Sequence, residues 1–102
     1  MVRDLLFRLT ARQDLKDLYD YIEQDSPAAA ARYVDEVIAF CTRLSEWPER
    51  GLRRDDLASG LRVLGFRKRA SIVFRVTDTD VEVIRVLYGG RDLDRAFGGK
   101  EN

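Results

Sequence analysis

The residues of this chain best equipped for chemistry are cationic. Arg62, Arg67, Lys68, Arg69 and Arg75 fall in one stretch, residues 50–75, which carries 8 basic side chains against 2 acidic ones, a balance of +6. Residues 1–49 balance at −4 (6 basic, 10 acidic) and residues 76–102 at −2 (4 basic, 6 acidic), so a net charge of zero conceals a basic band. Such a band suits an acidic protein or a nucleic acid as partner, and the plainer alternative is a row of solvated arginines at strand ends. Histidine is absent and Cys41 is alone. A zinc site is therefore nearly excluded, as is any mechanism needing a histidine base, and an internal disulfide is impossible. No metal or other cofactor is expected. A lone cysteine suits a reducing cytoplasm, which is the expected location.

Residues 72–93, IVFRVTDTDVEVIRVLYGGRDL, must position the rest of the candidate groups. Ile72, Phe74 and Val76 alternate with Val73, Arg75 and Thr77, the period of a strand, and Val81 to Tyr88 is rich in β-branched residues. The tip between them, Asp78-Thr79-Asp80, has turn chemistry. A three-residue loop there sets Thr77 opposite Val81. Ile72, Phe74, Val76, Val86, Ile84 and Glu82 then share one face, and Val73, Arg75, Arg85 and Val83 the other. A two-residue loop would set Phe74 opposite Val83 and Arg75 opposite Glu82, mixing the faces, and a one-residue slip is costly where one face is buried. The first register is the expected one. It buries Ile72, Phe74, Ile84 and Val86, leaves a second face open with Arg75 and Arg85, and puts Tyr88 on the buried side. Gly89-Gly90 break the strand, and Arg91 to Phe97 has the length of a helical turn.

The remaining elements follow from periodicity. Val2 to Leu9 alternates loosely and reads as an opening strand. Thr10-Ala11-Arg12-Gln13 has the spacing of a capping box, with Leu15, Leu18, Tyr19 and Ile22 on one face of a helix over residues 11–24. Ser26-Pro27 starts a second helix, limited by Pro48, whose buried stripe is Ala30, Tyr33, Val34, Val37, Cys41 and Leu44. Tyr19, Tyr21, Tyr33 and Phe40 read as packing residues, and Trp47 either closes the core, the favoured reading, or lies at a partner surface. The charged linker Glu49 to Gly60 leads into a third strand, Leu61 to Phe66, and Arg67-Lys68-Arg69 projects from the turn after it. The order is β-αα-βββ. This is an α+β domain with an N-terminal strand and a two-helix antiparallel hairpin packed on a small antiparallel sheet. At 102 residues it is a single domain, 1–102, with 98–102 expected to fray. Nothing in it reads as a membrane span or a secretion signal.

The pieces DLKDLYDYI, SPAAAARYVDEV, WPERGLRRDDLASGLRV and VEVIRVLYGGRDL, in this order, resemble the ParE branch of the RelE/ParE toxins of bacterial toxin–antitoxin modules. The resemblance runs from Phe7 to Leu93. Tyr88 departs from it, since many relatives have histidine before the small-residue pair. The resemblance implies a toxin neutralised by a co-encoded ParD-like antitoxin with a ribbon-helix-helix DNA-binding domain. In the ParE branch the implied target is DNA gyrase; in the RelE branch the same fold cleaves messenger RNA on the ribosome. RNA cleavage needs one group to take the 2′-hydroxyl proton, another to protonate the leaving oxygen, and cations around the phosphorane. Arg75, Arg85 and Tyr88 are the residues a nuclease would use. A placed acid–base pair is lacking, because Tyr88 is on the buried side and Glu82 lies near the hairpin tip. The expectation is gyrase inhibition by binding, with Arg62, Arg67, Lys68, Arg69, Arg75, Arg85 and Arg91 as the surface for target or antitoxin. Membrane contact and direct DNA binding by this chain alone are not expected. A homologue that binds an antitoxin without being toxic is the third reading.

Overall fold

The computed structural model describes residues 3–47, 49–67 and 69–88. Ser26 opens the longer helix, α2 (Pro27–Leu44), as its spacing predicts: its hydroxyl accepts the Ala29 N–H at 3.1 Å and Pro27 fills the first turn. Ala30, Val37, Cys41 and Leu44 of α2 are buried, with Tyr33 beside them partly covered. Burial pushes the Cys41 thiol up to about 12, which removes it as a nucleophile near neutral pH. The shorter helix, α1 (Leu9–Glu23), starts earlier than the capping box suggests. Arg8 is its N-cap and, having only donors, makes no side-chain cap, while Thr10 lies inside the first turn and its hydroxyl donates to the Ile84 carbonyl at 2.7 Å. Helix α2 also stops at Leu44, where Ser45 turns back on Thr42, so Trp47 lies beyond the helix and is 63% exposed. Trp47 does not close the core, and Tyr21 is equally exposed.

Five strands complete the fold: β1 (Asp4–Phe7), β2 (Leu52–Arg53), β3 (Leu61–Phe66), β4 (Ala70–Val76) and β5 (Asp80–Tyr88), in the order β1-β5-β4-β3-β2. The α+β arrangement is the expected one, with two additions. The short β2 forms inside the charged linker, and β1 runs parallel to β5 in an otherwise antiparallel sheet. Gly51 enters β2 at a φ of +97°, with the Val63 carbonyl and the Phe74 ring only 3.1 Å and 3.2 Å from where a Cβ would stand. Only glycine fits there without strain.

The β4–β5 hairpin holds both candidate registers at once. Near the tip, Val76 faces Val81, Arg75 faces Glu82 and Phe74 faces Val83, and the Thr77 N–H donates to the Asp80 carbonyl at 2.8 Å across a two-residue turn. From Val73 opposite Arg85 onward the pairing is the expected one, and Ile84 is the residue inserted between the two halves. This bulge changes the phase of β5. Val81, Val83 and Val86 all join Ile72, Phe74 and the helices in the main core, while Ile84 joins Leu61, Val73 and Leu87 on the opposite face. Ile84 is buried as expected but under a different cover, and Val83 and Glu82 exchange the sides assigned to them. The second face is not an open arginine-bearing surface, since Leu57 and Ala58 of the linker lie over its apolar cluster.

Candidate functional site

The end of the sheet where β3 turns into β4 meets the helical hairpin across a cleft of about 790 Å³. Tyr21 and Ile22 of α1, Asp25 in the connection, and Ala29, Arg32, Tyr33 and Glu36 of α2 form one wall. Arg67, Arg69 and Tyr88 form the other. The two walls are tied by aromatic packing. Tyr88 stands edge-on to Tyr21 and Tyr33, at 5.9 Å and 5.7 Å between centroids, and Tyr33 is edge-on to Phe66 at 5.7 Å. Arg67 sits in the left-handed region at a φ of +53°, which turns its guanidinium over the Phe66 ring at 5.2 Å and onto Glu36 at 2.9 Å. Arg69 lines the same cleft with no ion pair among the described residues. The Tyr33 hydroxyl is buried and has no hydrogen-bond partner among the described residues. Its pKa is raised, chiefly by burial and then by Tyr88, with Arg67 and Arg69 opposing. It therefore stays a neutral donor near pH 7.

The expected site residues divide into two groups. Arg67, Arg69 and Tyr88 come together in this cleft, with Tyr88 on the helix side as its parity predicts. Arg62, Arg75 and Arg85 go elsewhere. Arg62 donates to the Glu49 carbonyl at 3.2 Å, and Arg75 to the Ser59 carbonyl at 3.2–3.3 Å. Arg85 does not stand beside Arg75 on an open face. It makes two hydrogen bonds, of 2.7 Å and 3.0 Å, to the carboxylate of Asp14, which is only 6% exposed. The reason is the length of β1, which ends opposite Val83 just before the bulge. Beyond that point β5 would have an unpaired edge, and α1 covers it. The Arg8 N–H donates to the Val83 carbonyl, Thr10 to the Ile84 carbonyl, and the Val86 N–H donates to Asp14 at 2.8 Å. Lys68 and Arg91 lie outside the described residues, as do the Gly89-Gly90 break and the turn after it.

Tyr21, Tyr33 and Glu36 were not anticipated as parts of a site. The usable signal was Tyr33, a side chain with a polar tip in an apolar stripe, which must find a partner somewhere. Among the described residues, no group of three or more metal-ligating side chains converges, and no helix is long and apolar enough to cross a membrane. Glu82, near the hairpin tip, is bound by Arg8 at 2.7 Å, and that hydrogen bond holds its carboxyl below the usual range. A lowered carboxylate pKa adds stability above the ordinary value of 4.5, and the contribution is lost as the pH falls through the lower folded-state value. Glu82→Gln should thus reduce the urea midpoint at pH 7 and converge with the parent protein in acid. A gap between the two that persists unchanged to pH 3 would contradict this assignment.

A profile of the ParE toxin of the type II toxin–antitoxin system parDE matches residues 5–93. The chain belongs to the ParE toxin family. Within that family it is 30% identical over 81 residues to Toxin ParE3 of Caulobacter vibrioides, covering 79% of this chain and 80% of that one. Solved structures agree on the fold. A chain of the chromosomal ParDE system from P. aeruginosa superposes with a TM-score of 0.73 at 23% identity, over 86% of this chain and 97% of its own. A chain of the RelBE2 toxin–antitoxin complex of Mycobacterium tuberculosis gives 0.62 at 26% identity, over 86% and 99%. This ParE-family chain is thus a type II toxin component, and its α+β layout is that of the ParE/RelE toxins.

Proposed function

We propose that this chain inhibits DNA gyrase by binding it, performs no chemistry of its own, and is neutralised by a ParD-like antitoxin. What carries the reading, beyond membership of the ParE family, is the commitment of its cations. A nuclease must gather cations and a proton-transfer pair around one phosphate. Here Arg85 is bound by buried Asp14, Arg75 is tied to the linker on the opposite face from Tyr88, and Arg67 is held by Glu36. A binder needs none of these groups to move a proton. One observation favours the RelE-type alternative: Arg67, Arg69 and Tyr88 do share a cleft.

The deciding experiment expresses the chain without its antitoxin and follows supercoiling by purified gyrase beside the integrity of translated messenger RNA. Loss of supercoiling with intact transcripts is the expected result. Transcript cleavage at ribosomes with normal supercoiling would overturn it and make Arg67, Arg69 and Tyr88 catalytic. No effect in either assay would favour the non-toxic reading. For the antitoxin, an extended acidic segment folding onto this surface is expected to depend on charge. Reversing Arg62, Arg67 and Arg69 to Glu together should weaken the complex by about 1000-fold, from roughly tenfold for each of the three lost charge contacts. An unchanged dissociation constant would remove this side of the domain from the docking surface.

A further inference from the structure

The cleft between the hairpin and the β3–β4 turn has the properties of a seat for one negative charge on an apolar stem. Among the described residues its walls carry three arginines (Arg32, Arg67, Arg69) and two carboxylates (Asp25, Glu36), a balance of +1. Since Arg67 and Glu36 already satisfy each other at 2.9 Å, Arg69 and Arg32 remain against Asp25. A monoanion would neutralise the cleft; a doubly charged group would leave it negative. The Tyr33 hydroxyl adds a more specific requirement. It is buried in the cleft wall with no hydrogen-bond partner among the described residues. It stays protonated near neutral pH and can donate to an acceptor that enters the cleft. Beside it, the ring of Tyr21, exposed in the free chain, and the ring of Tyr88 offer an apolar platform at the cleft mouth.

We propose that this cleft receives one Asp or Glu carboxylate from the extended segment of the antitoxin, held between Arg69 and the Tyr33 hydroxyl, with the flanking apolar side chain on Tyr21 and Tyr88. The inference rests on the antitoxin reading above and gives it a single anchor point. A nucleic acid is the less suitable occupant. A strand needs a track of free cations along its backbone, whereas Arg53, Arg54, Arg62, Arg75 and Arg85 are each engaged by a carboxylate or carbonyl of the chain itself. A peptide carboxylate needs only the pair of donors that the cleft provides.

The test uses the full chain and the antitoxin encoded beside it, with each Asp and Glu in the antitoxin's C-terminal half replaced singly by Asn or Gln. Dissociation constants are measured against the parent protein, Arg69→Gln and Tyr33→Phe. One antitoxin substitution should weaken binding to the parent about tenfold, the size of one lost charge-assisted hydrogen bond. The same substitution should have no further effect on Arg69→Gln and a reduced effect on Tyr33→Phe. Tyr33→Phe deletes only the unpartnered hydroxyl, so its melting temperature should equal or exceed the parent's, which separates lost binding from lost folding. Additive effects for every carboxylate, or unchanged affinity in both variants, would overturn the assignment while leaving the antitoxin as partner. No binding by the parent would overturn the partner reading with it. Binding of a twelve-residue oligouridylate that depends on Arg69, with antitoxin affinity unaffected by Arg69→Gln, would reassign the cleft to RNA.

Discussion

Asp14→Ala is expected to destabilise the domain by about 3–5 kcal/mol, enough to leave much of it unfolded at 37 °C. Asp14 is buried in α1 and does two things at once. It accepts both hydrogen bonds of the Arg85 guanidinium and caps the Val86 N–H. Its removal strands a cation whose side chain is 22% exposed and leaves a buried strand N–H without an acceptor. Arg85 in turn has its charged form favoured chiefly by the hydrogen bonds it donates to this carboxylate. The measurement is urea unfolding of Asp14→Ala, Arg85→Met and a matched Asp14→Leu/Arg85→Met pair. The apolar pair should recover part of the loss, because replacing both partners leaves no unpaired charge. An Asp14→Ala variant within about 1 kcal/mol of the parent, the worth of an exposed pair, would mean that this contact is only superficial.

Phe74→Ala is expected to cost a similar amount, about 3–5 kcal/mol, by a different route. Phe74 is completely buried, pairs with Arg62 on β3 and Val83 on β5, and lies under Gly51 where the linker enters β2. Truncation opens a cavity whose walls are strands on both sides and cannot collapse inward cheaply. It also removes the ring against which the linker packs, so β2 should lose its protection from hydrogen exchange before the helices do. A cooperative melt near the parent's temperature would show that Phe74 is not at the centre of the core.

Much of the fold is legible because it is local. The Ser26-Pro27 cap, the apolar stripes of the two helices and the alternation of β4 all report on residues a few positions apart. The hairpin was legible only in part. Face segregation favours one of two registers, and weighing them as exclusive hides the third solution, one register on each side of an inserted Ile84. The trace of it lies in the spacing of Val81, Val83 and Val86, which no single strand phase can bring to one face. Thr10 and Asp14 were harder to place. Their partners, Ile84, Arg85 and Val86, are more than 70 positions away, and nothing local tells a helix cap from a clasp on a distant strand. The same non-locality hid the cleft. Arg67, Arg69 and Tyr88 were in view as cations and a tyrosine, but Tyr21, Tyr33 and Glu36 meet them only when the hairpin docks.

The clasp of α1 on β5 also bears on how this protein behaves at high concentration without a partner. Long, β-branched strands with free edges recruit their own kind, and β4 and β5 have the composition to do so. Both are shielded. β4 lies between β3 and β5, and the half of β5 that β1 does not reach is occupied by Thr10 and Asp14. Strands β1 and β2 at the two ends of the strand order are four and two residues long, with Asp4 and Arg53 on them. Such short, charged margins make poor templates. Loosening the first turns of α1 would therefore do more than lower a melting temperature. It would expose a ready-made ladder on β5, and such variants should be lost to precipitation before they are lost to unfolding.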